Sequence, residues 1–153
     1  MRARRSESGA AALEFAILLP LLLLLIYGLF VYSYMFVVQE AITFAAQEAA
    51  EAAVKVDPAQ DPADYDAAVK AEVVAAATRV LSFLPAAQRE RVLGSDGSKV
   101  QVTIGASPSG IGGVVTVNLS FNFSGLFPAI PLPGLGPIPP MPGTLEARGV
   151  VGV

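Results

Sequence analysis

The feature that most constrains this chain is a run of 24 residues, Phe15 to Val38, without a single charged side chain. At ~1.5 Å rise per residue the run makes roughly 36 Å of helix, enough to cross a hydrocarbon core of about 30 Å with some tilt. Its centre, Leu21 to Ile26, is unbroken aliphatic sequence. The 153 residues leave room for one further domain of modest size, not two. Membrane insertion is therefore the first expectation.

Flanking charge sets the expected orientation. Before the run, Met1 to Gly9 carries Arg2, Arg4 and Arg5 against one acid, Glu7. After it come Glu40, Glu48 and Glu51, and the first basic residue is Lys55. Positive flanks stay cytoplasmic, so the N-terminus is expected inside and the bulk of the chain outside. Residues 39–153 hold 11 acids and 7 bases, which disfavours nucleic-acid binding. The chain has neither cysteine nor histidine. That removes disulfides, Ser-His-Asp and Cys-His nucleophilic sites and the usual zinc ligand sets. No catalytic residues, metal or cofactor are expected.

Three kinds of apolar N-terminal segment remain. A cleaved secretory signal has an apolar core of ~7–15 residues before a small-residue site. This core is longer and is followed by the bulky stretch Tyr32 to Val38, while Ala45-Ala46 lies too far along to be that site. Arg4-Arg5 makes a poor twin-arginine signal because Ser6 to Gly9 is small and polar. A plain signal anchor fits length and orientation but gives no reason for Glu14. An acid in a membrane helix costs roughly 2.5–3.5 kcal/mol at the bilayer centre and less near the interface. Glu14 is either an interfacial carboxylate near the headgroups or a functional group.

The stretch Ser6-Glu7-Ser8-Gly9-Ala10-Ala11-Ala12-Leu13-Glu14-Phe15 resembles the processing site of type IV-like prepilins. Leu18-Leu19-Pro20-Leu21-Leu22 and Phe36-Val37-Val38-Gln39-Glu40-Ala41-Ile42 resemble the TadE-like variant found in tight-adherence (Flp) pilus systems. The resemblance covers roughly Arg5 to Val54. It implies cleavage between Gly9 and Ala10 by a prepilin peptidase at the inner membrane, which makes Glu14 the fifth mature residue, followed by Phe15. It further implies a minor-pilin or pseudopilin role, with other pilin-like subunits and the pilus assembly machinery as partners beside membrane lipid.

Pro20 lacks the N–H that would bond the Ala16 carbonyl, so it is expected to kink or loosen the helix, as a tolerated irregularity or as a flex point. Beyond the bilayer the helix is expected to run to about Val54, because Asp57 precedes a proline. Ala41, Ala45, Ala49 and Ala53 form a stripe of small side chains, suited to packing under a second helix of the chain or to a filament contact. Asp61 and Pro62 open that second helix as N-cap and first residue. Its apolar face is Tyr65, Val69, Val73, Ala76, Val80 and Phe83 or Leu84, and Pro85 ends it. A short amphipathic turn around Gln88 to Val92 follows.

The last third changes period. Lys99 to Ile104 and Thr116 to Ser124 alternate apolar with polar residues, as antiparallel strands with one buried face do, and Thr144 to Val153 reads as a third. Pro128 to Pro142 holds seven prolines and cannot supply a central strand. The apolar residues in it and just before it, Leu126, Phe127, Ile130, Leu132, Leu135, Ile138 and Met141, offer either a binding patch or, as preferred here, a cover that finishes the core of the sheet.

The expected architecture is α+β: one N-terminal transmembrane helix extended as a stalk, a second helix, and a small antiparallel sheet of about three strands. It divides into a cytoplasmic basic leader (1–9), a transmembrane helix (10–38), a helix extension (39–56) and an extracytoplasmic head (57–153). Two functions fit. One is a processed TadE-like minor pilin or pseudopilin at the bacterial inner membrane, assembling a tight-adherence pilus or related secretion apparatus. The other is an uncleaved, single-pass envelope protein whose head binds a partner.

Overall fold

Helix α1, Arg4–Ala52, takes up the whole apolar run and its alanine-rich continuation. Alanine and leucine are the strongest helix formers, and a helix satisfies its backbone polar groups internally, which an apolar surround demands. The helix continues on both sides of Pro20. A 3₁₀ turn, Ala53–Lys55, closes it, with the Val56 N–H donating to the Ala53 carbonyl at 3.2 Å. The chain turns extended at Val56, ahead of Asp57-Pro58, as the proline dictates.

The structure, a computed structural model, describes residues 4–57, 61–106, 113–132, 134 and 136–153, with side chains left aside at 4–8, 62, 63, 106 and 132. Helix α2 spans Pro62–Val80 and continues into a 3₁₀ turn, Leu81–Phe83; helix α3 is Ala86–Leu93. Asp61 stands at the N-cap of α2 with Pro62 behind it, yet its side chain makes no capping bond. Its backbone carbonyl instead accepts the Tyr65 N–H at 2.9 Å. Gly94, at φ +79°, takes the chain out of α3 in a left-handed conformation that costs glycine least.

Among the described residues five strands follow: β1 Gln101–Ala106, β2 Gly113–Asn122, β3 Ile130–Leu132, β4 Gly136–Ile138 and β5 Thr144–Gly152. Strands β1, β2 and β5 form one antiparallel sheet in the order β1-β2-β5. The α+β expectation of three strands and a second helix holds, with α3 as a full helix in place of a short turn. Strands β3 and β4 pair in a separate two-stranded sheet inside the proline-rich segment.

The chain makes two compact units. One combines the first part of α1, up to Phe36, with Phe127–Pro140. The other, the head, combines Val37–Leu126 with Met141–Val153.

In the head, the register sets Val117 opposite Gly149, Leu119 opposite Ala147 and Phe121 opposite Leu145, so these side chains share one face. Val115, Val117, Leu119 and Phe121 are fully buried there, while Thr116, Asn118 and Ser120 alternate onto the other face. Val69, Val73, Ala76, Ala77, Leu81 and Leu84 line the buried side of the α2 layer. Of the two alternatives at its end, Leu84 goes in and Phe83 stays 62% exposed, because the 3₁₀ turn shifts the phase. Each fully buried Val, Leu or Phe contributes roughly 1.5–3 kcal/mol.

The alanine stripe packs inside the chain's own head. Ala41, Ala45, Ala49 and Ala53 are buried, as are Ala46, Ala50 and Ala52 beside them. The 3₁₀ turn that holds Ala53 touches both α2 and β5, so the packing partner is a strand as well as the second helix. One polar tie accompanies it: Gln39 Nε2 donates to the Glu146 carbonyl of β5 at 3.1 Å, while the Thr43 hydroxyl donates to the Gln39 carbonyl at 2.7 Å. A single neutral hydrogen bond contributes about 0.5–1.5 kcal/mol. Gln39→Ala is therefore expected to lower the head's Tm by about 4–8 °C, measured by thermal circular dichroism of the full chain in detergent.

Candidate functional site

The residues singled out in the sequence, Gly9, Ala10, Glu14, Phe15 and Pro20, all lie on the first turns of α1, and all are exposed. Ala10 and Glu14 stand on the same face, four residues and about 6 Å of rise apart. Helical side chains lean toward the N-terminus, which directs the Glu14 carboxylate back toward the turn of Ala10.

Among the described residues nothing calls for glycine at position 9. A Cβ built there meets no atom within 4 Å, and its backbone is ordinary. The Gly9–Ala10 bond lies within the first described turns of α1, and glycine is the weakest helix former apart from proline.

From Phe15 to Phe30 the exposed surface of the helix is apolar. Leu13, Phe15, Ile17, Leu18, Leu21, Leu25, Leu29 and Phe30 are each 60–70% exposed. At roughly 1.5–3 kcal/mol per large side chain, leaving this surface in water is strongly unfavourable. The helix is long and apolar enough to cross a membrane, with a mean hydropathy of 2.6 in its most apolar window. It is compatible with a single-pass membrane protein.

One cluster has no counterpart in the sequence expectations. The Tyr27 hydroxyl donates to the Pro128 carbonyl, and the Tyr32 hydroxyl donates to the Pro140 carbonyl at 3.1 Å. The Tyr34 ring meets Phe127 edge-on, with centroids 5.4 Å apart. The apolar loop, expected to finish the core of the sheet, makes these contacts to α1. The available signal was the set of three tyrosines late in an uncharged segment, the usual place of an interfacial aromatic belt. Of the patch residues, Ile130 is exposed and Leu126, Phe127, Ile138 and Met141 are half-buried; the Leu132 side chain and Leu135 lie outside the described residues.

Among the described residues no group of three or more acidic side chains is placed to hold a metal ion. The acids Asp61, Asp64 and Asp66 are instead spread around the start of α2, where negative charge complements the helix N-terminus.

No curated protein and no solved structure matches this chain. Residues 9–51 match the family model of TadE-like protein, a stretch that opens on Gly9, includes Glu14, Phe15 and Pro20, and closes within the last turns of α1. Over this segment, rather less than a third of its length, the chain is similar to TadE-like protein.

Proposed function

We propose that the chain is a minor pilin or pseudopilin of a tight-adherence pilus or related secretion apparatus, cut after Gly9 by a prepilin peptidase and acting by assembly, without catalysis. The observation that carries this reading is the family match beginning at Gly9, together with Glu14 five positions into the mature chain on an exposed apolar helix. The basic leader remains at the cytoplasmic face of the inner membrane and the head lies outside, as the flanking charges favour. Before assembly the helix rests in lipid. Its exposed leucines and phenylalanines then exchange lipid for the helices of neighbouring pilin-like subunits. Small changes of partner of this kind suit a surface that is apolar all round.

The test is the mature N-terminus. Full-length chain produced with a prepilin peptidase and purified from membranes is expected to begin Ala10-Ala11-Ala12-Leu13-Glu14, with Met1 to Gly9 missing from the intact mass. Gly9→Leu is expected to abolish that shift while leaving membrane insertion intact. Retention of the leader beside a peptidase that processes a control prepilin would favour the uncleaved envelope-anchor reading.

A further inference from the structure

The proline-rich segment is unlike the rest of the molecule. No residue from Val100 to Leu145 is charged, and seven prolines fall between Pro128 and Pro142. Within it β3 and β4 pair Ile130 with Ile138 and Pro131 with Pro137 in a hairpin that, among the described residues, forms a two-stranded sheet of its own. Ile130 is 41% exposed, and Pro128, Ala129, Pro131 and Pro137 are exposed beside it.

The attachment of this hairpin to α1 fixes its depth. Tyr27 is about 18 Å along the helix from Phe15 and Tyr32 about 26 Å, at ~1.5 Å per residue. A hydrocarbon core of about 30 Å that begins near Phe15 therefore ends only a few residues beyond Tyr32. The two carbonyls that these tyrosines hold, on Pro128 and Pro140, bracket the hairpin. They place its base level with the outer part of the span.

Irregular backbone near lipid is tolerated only when its polar groups are satisfied. This segment meets that condition in three ways. Each proline removes a donor, the β3–β4 pairing occupies part of the remaining backbone, and the tyrosine hydroxyls take the two bracketing carbonyls. The absence of charge removes the main cost of entering the interface. From these observations we infer that the β3–β4 hairpin is a second membrane contact, seated in the outer-leaflet interface with Ile130, Pro131 and Pro137 against the acyl chains. The inference rests on reading residues 15–38 as a membrane span. Its partner is the lipid surface itself, continuous with the lipid around α1, and it needs no anionic headgroup.

The chain has no cysteine, so single-cysteine probes report unambiguously. Full-length Ile130→Cys, Leu22→Cys and Ser95→Cys, each carrying a polarity-sensitive fluorophore, are placed one copy per nanodisc of phosphatidylcholine. Acyl-chain spin-labelled lipid and aqueous iodide then serve as separate quenchers. The label at 130 is expected to follow that at 22, quenched by the lipid label and shielded from iodide, while the label at 95 does the opposite. If 130 follows 95 while 22 stays lipid-quenched, the hairpin lies in water: the inference fails and the anchor reading stands. Shielding of 130 from both quenchers means protein covers it, which also overturns the inference. If 22 itself behaves like 95, the anchor reading falls and the inference falls with it.

Discussion

Gly149→Ala is expected to destabilise the head by about 3 kcal/mol or more, the upper end of what added bulk costs in a packed core. A Cβ at Gly149 would lie in hard overlap with both atoms of the Ala46 carbonyl and only 2.9 Å from the Gln47 nitrogen. All three atoms are backbone, so no rotamer change relieves the clash. Neither side yields readily. Gly149 sits mid-strand opposite Val117, and β5 is paired with β2 along its whole length. Ala46 is fully buried, and so are its neighbours Ala45, Ala49 and Ala50. Moving the strand off the helix would open a gap along the alanine surface, and the dispersion attraction forfeited across that gap adds to the cost. The expected result is a Tm lowered by about 12 °C or more, or no cooperative transition, in thermal denaturation of the full chain in detergent. Gly152→Ala and Gly105→Ala are the controls, since a Cβ at either position meets nothing within 4 Å. They are expected to melt close to the parent. Adding Ala46→Gly to Gly149→Ala is not expected to rescue, because the obstruction is the carbonyl and not the methyl. A Gly149→Ala protein that melts with the controls would show that β5 and α1 do not approach this closely.

That close approach illustrates what the sequence made legible. A glycine inside a strand pattern is itself a mark of close backbone approach, and Gly149 between Arg148 and Val150 carries that mark without saying what approaches. The alanine spacing likewise showed a small-residue face on α1. It did not show that the face meets a strand, because alanine at 45 and 46, and again at 49 and 50, makes the stripe readable in two phases. The sheet was legible because Val115 to Phe123 alternates strictly, and alternation depends only on local spacing. The β3–β4 hairpin was not legible. Pro131 pairs with Pro137, so neither period-two alternation nor a donor pattern marks the strands. Its attachment through Tyr27 and Tyr32 spans more than a hundred residues of sequence and rests on hydroxyl-to-carbonyl bonds that any tyrosine makes. Gly9, Ala10, Glu14 and Phe15 rest on the sequence alone. Their relation is a spacing along one helix, and the fold adds to it only their exposure.

Glu14→Gln is expected to leave insertion and cleavage intact and to reduce piliation to the level of a strain lacking the gene. On the processed-pilin reading, cutting after Gly9 creates a new α-amine on Ala10, protonated near neutrality with a pKa of about 7.7–8.0. The precursor has an amide at that place and so offers no charge. A carboxylate at the edge of an apolar helix is costly, roughly 2.5–3.5 kcal/mol at full depth and less near the headgroups, unless a cation meets it. Within one chain the amine and Glu14 share a helix face a turn apart, which satisfies the carboxylate while the subunit waits in lipid. In an assembling array the amine of a neighbouring subunit competes for the same carboxylate, and each mature subunit supplies both a donor and an acceptor. Removing one partner of such a pair is far more damaging than the pair is stabilising, because the other charge is left buried. Glutamine keeps the volume and hydrogen-bonding ability of the side chain and deletes only the charge. Glu14→Asp restores the charge on a shorter arm and is expected to recover piliation in part. The measurement is complementation of the deletion strain, with pili counted by electron microscopy and the mature N-terminus of each variant read from membrane fractions. Normal pili with Glu14→Gln, at normal processing, would reduce Glu14 to an interfacial carboxylate with no part in assembly. Absent pili with the leader still attached would move its role back to recognition by the peptidase.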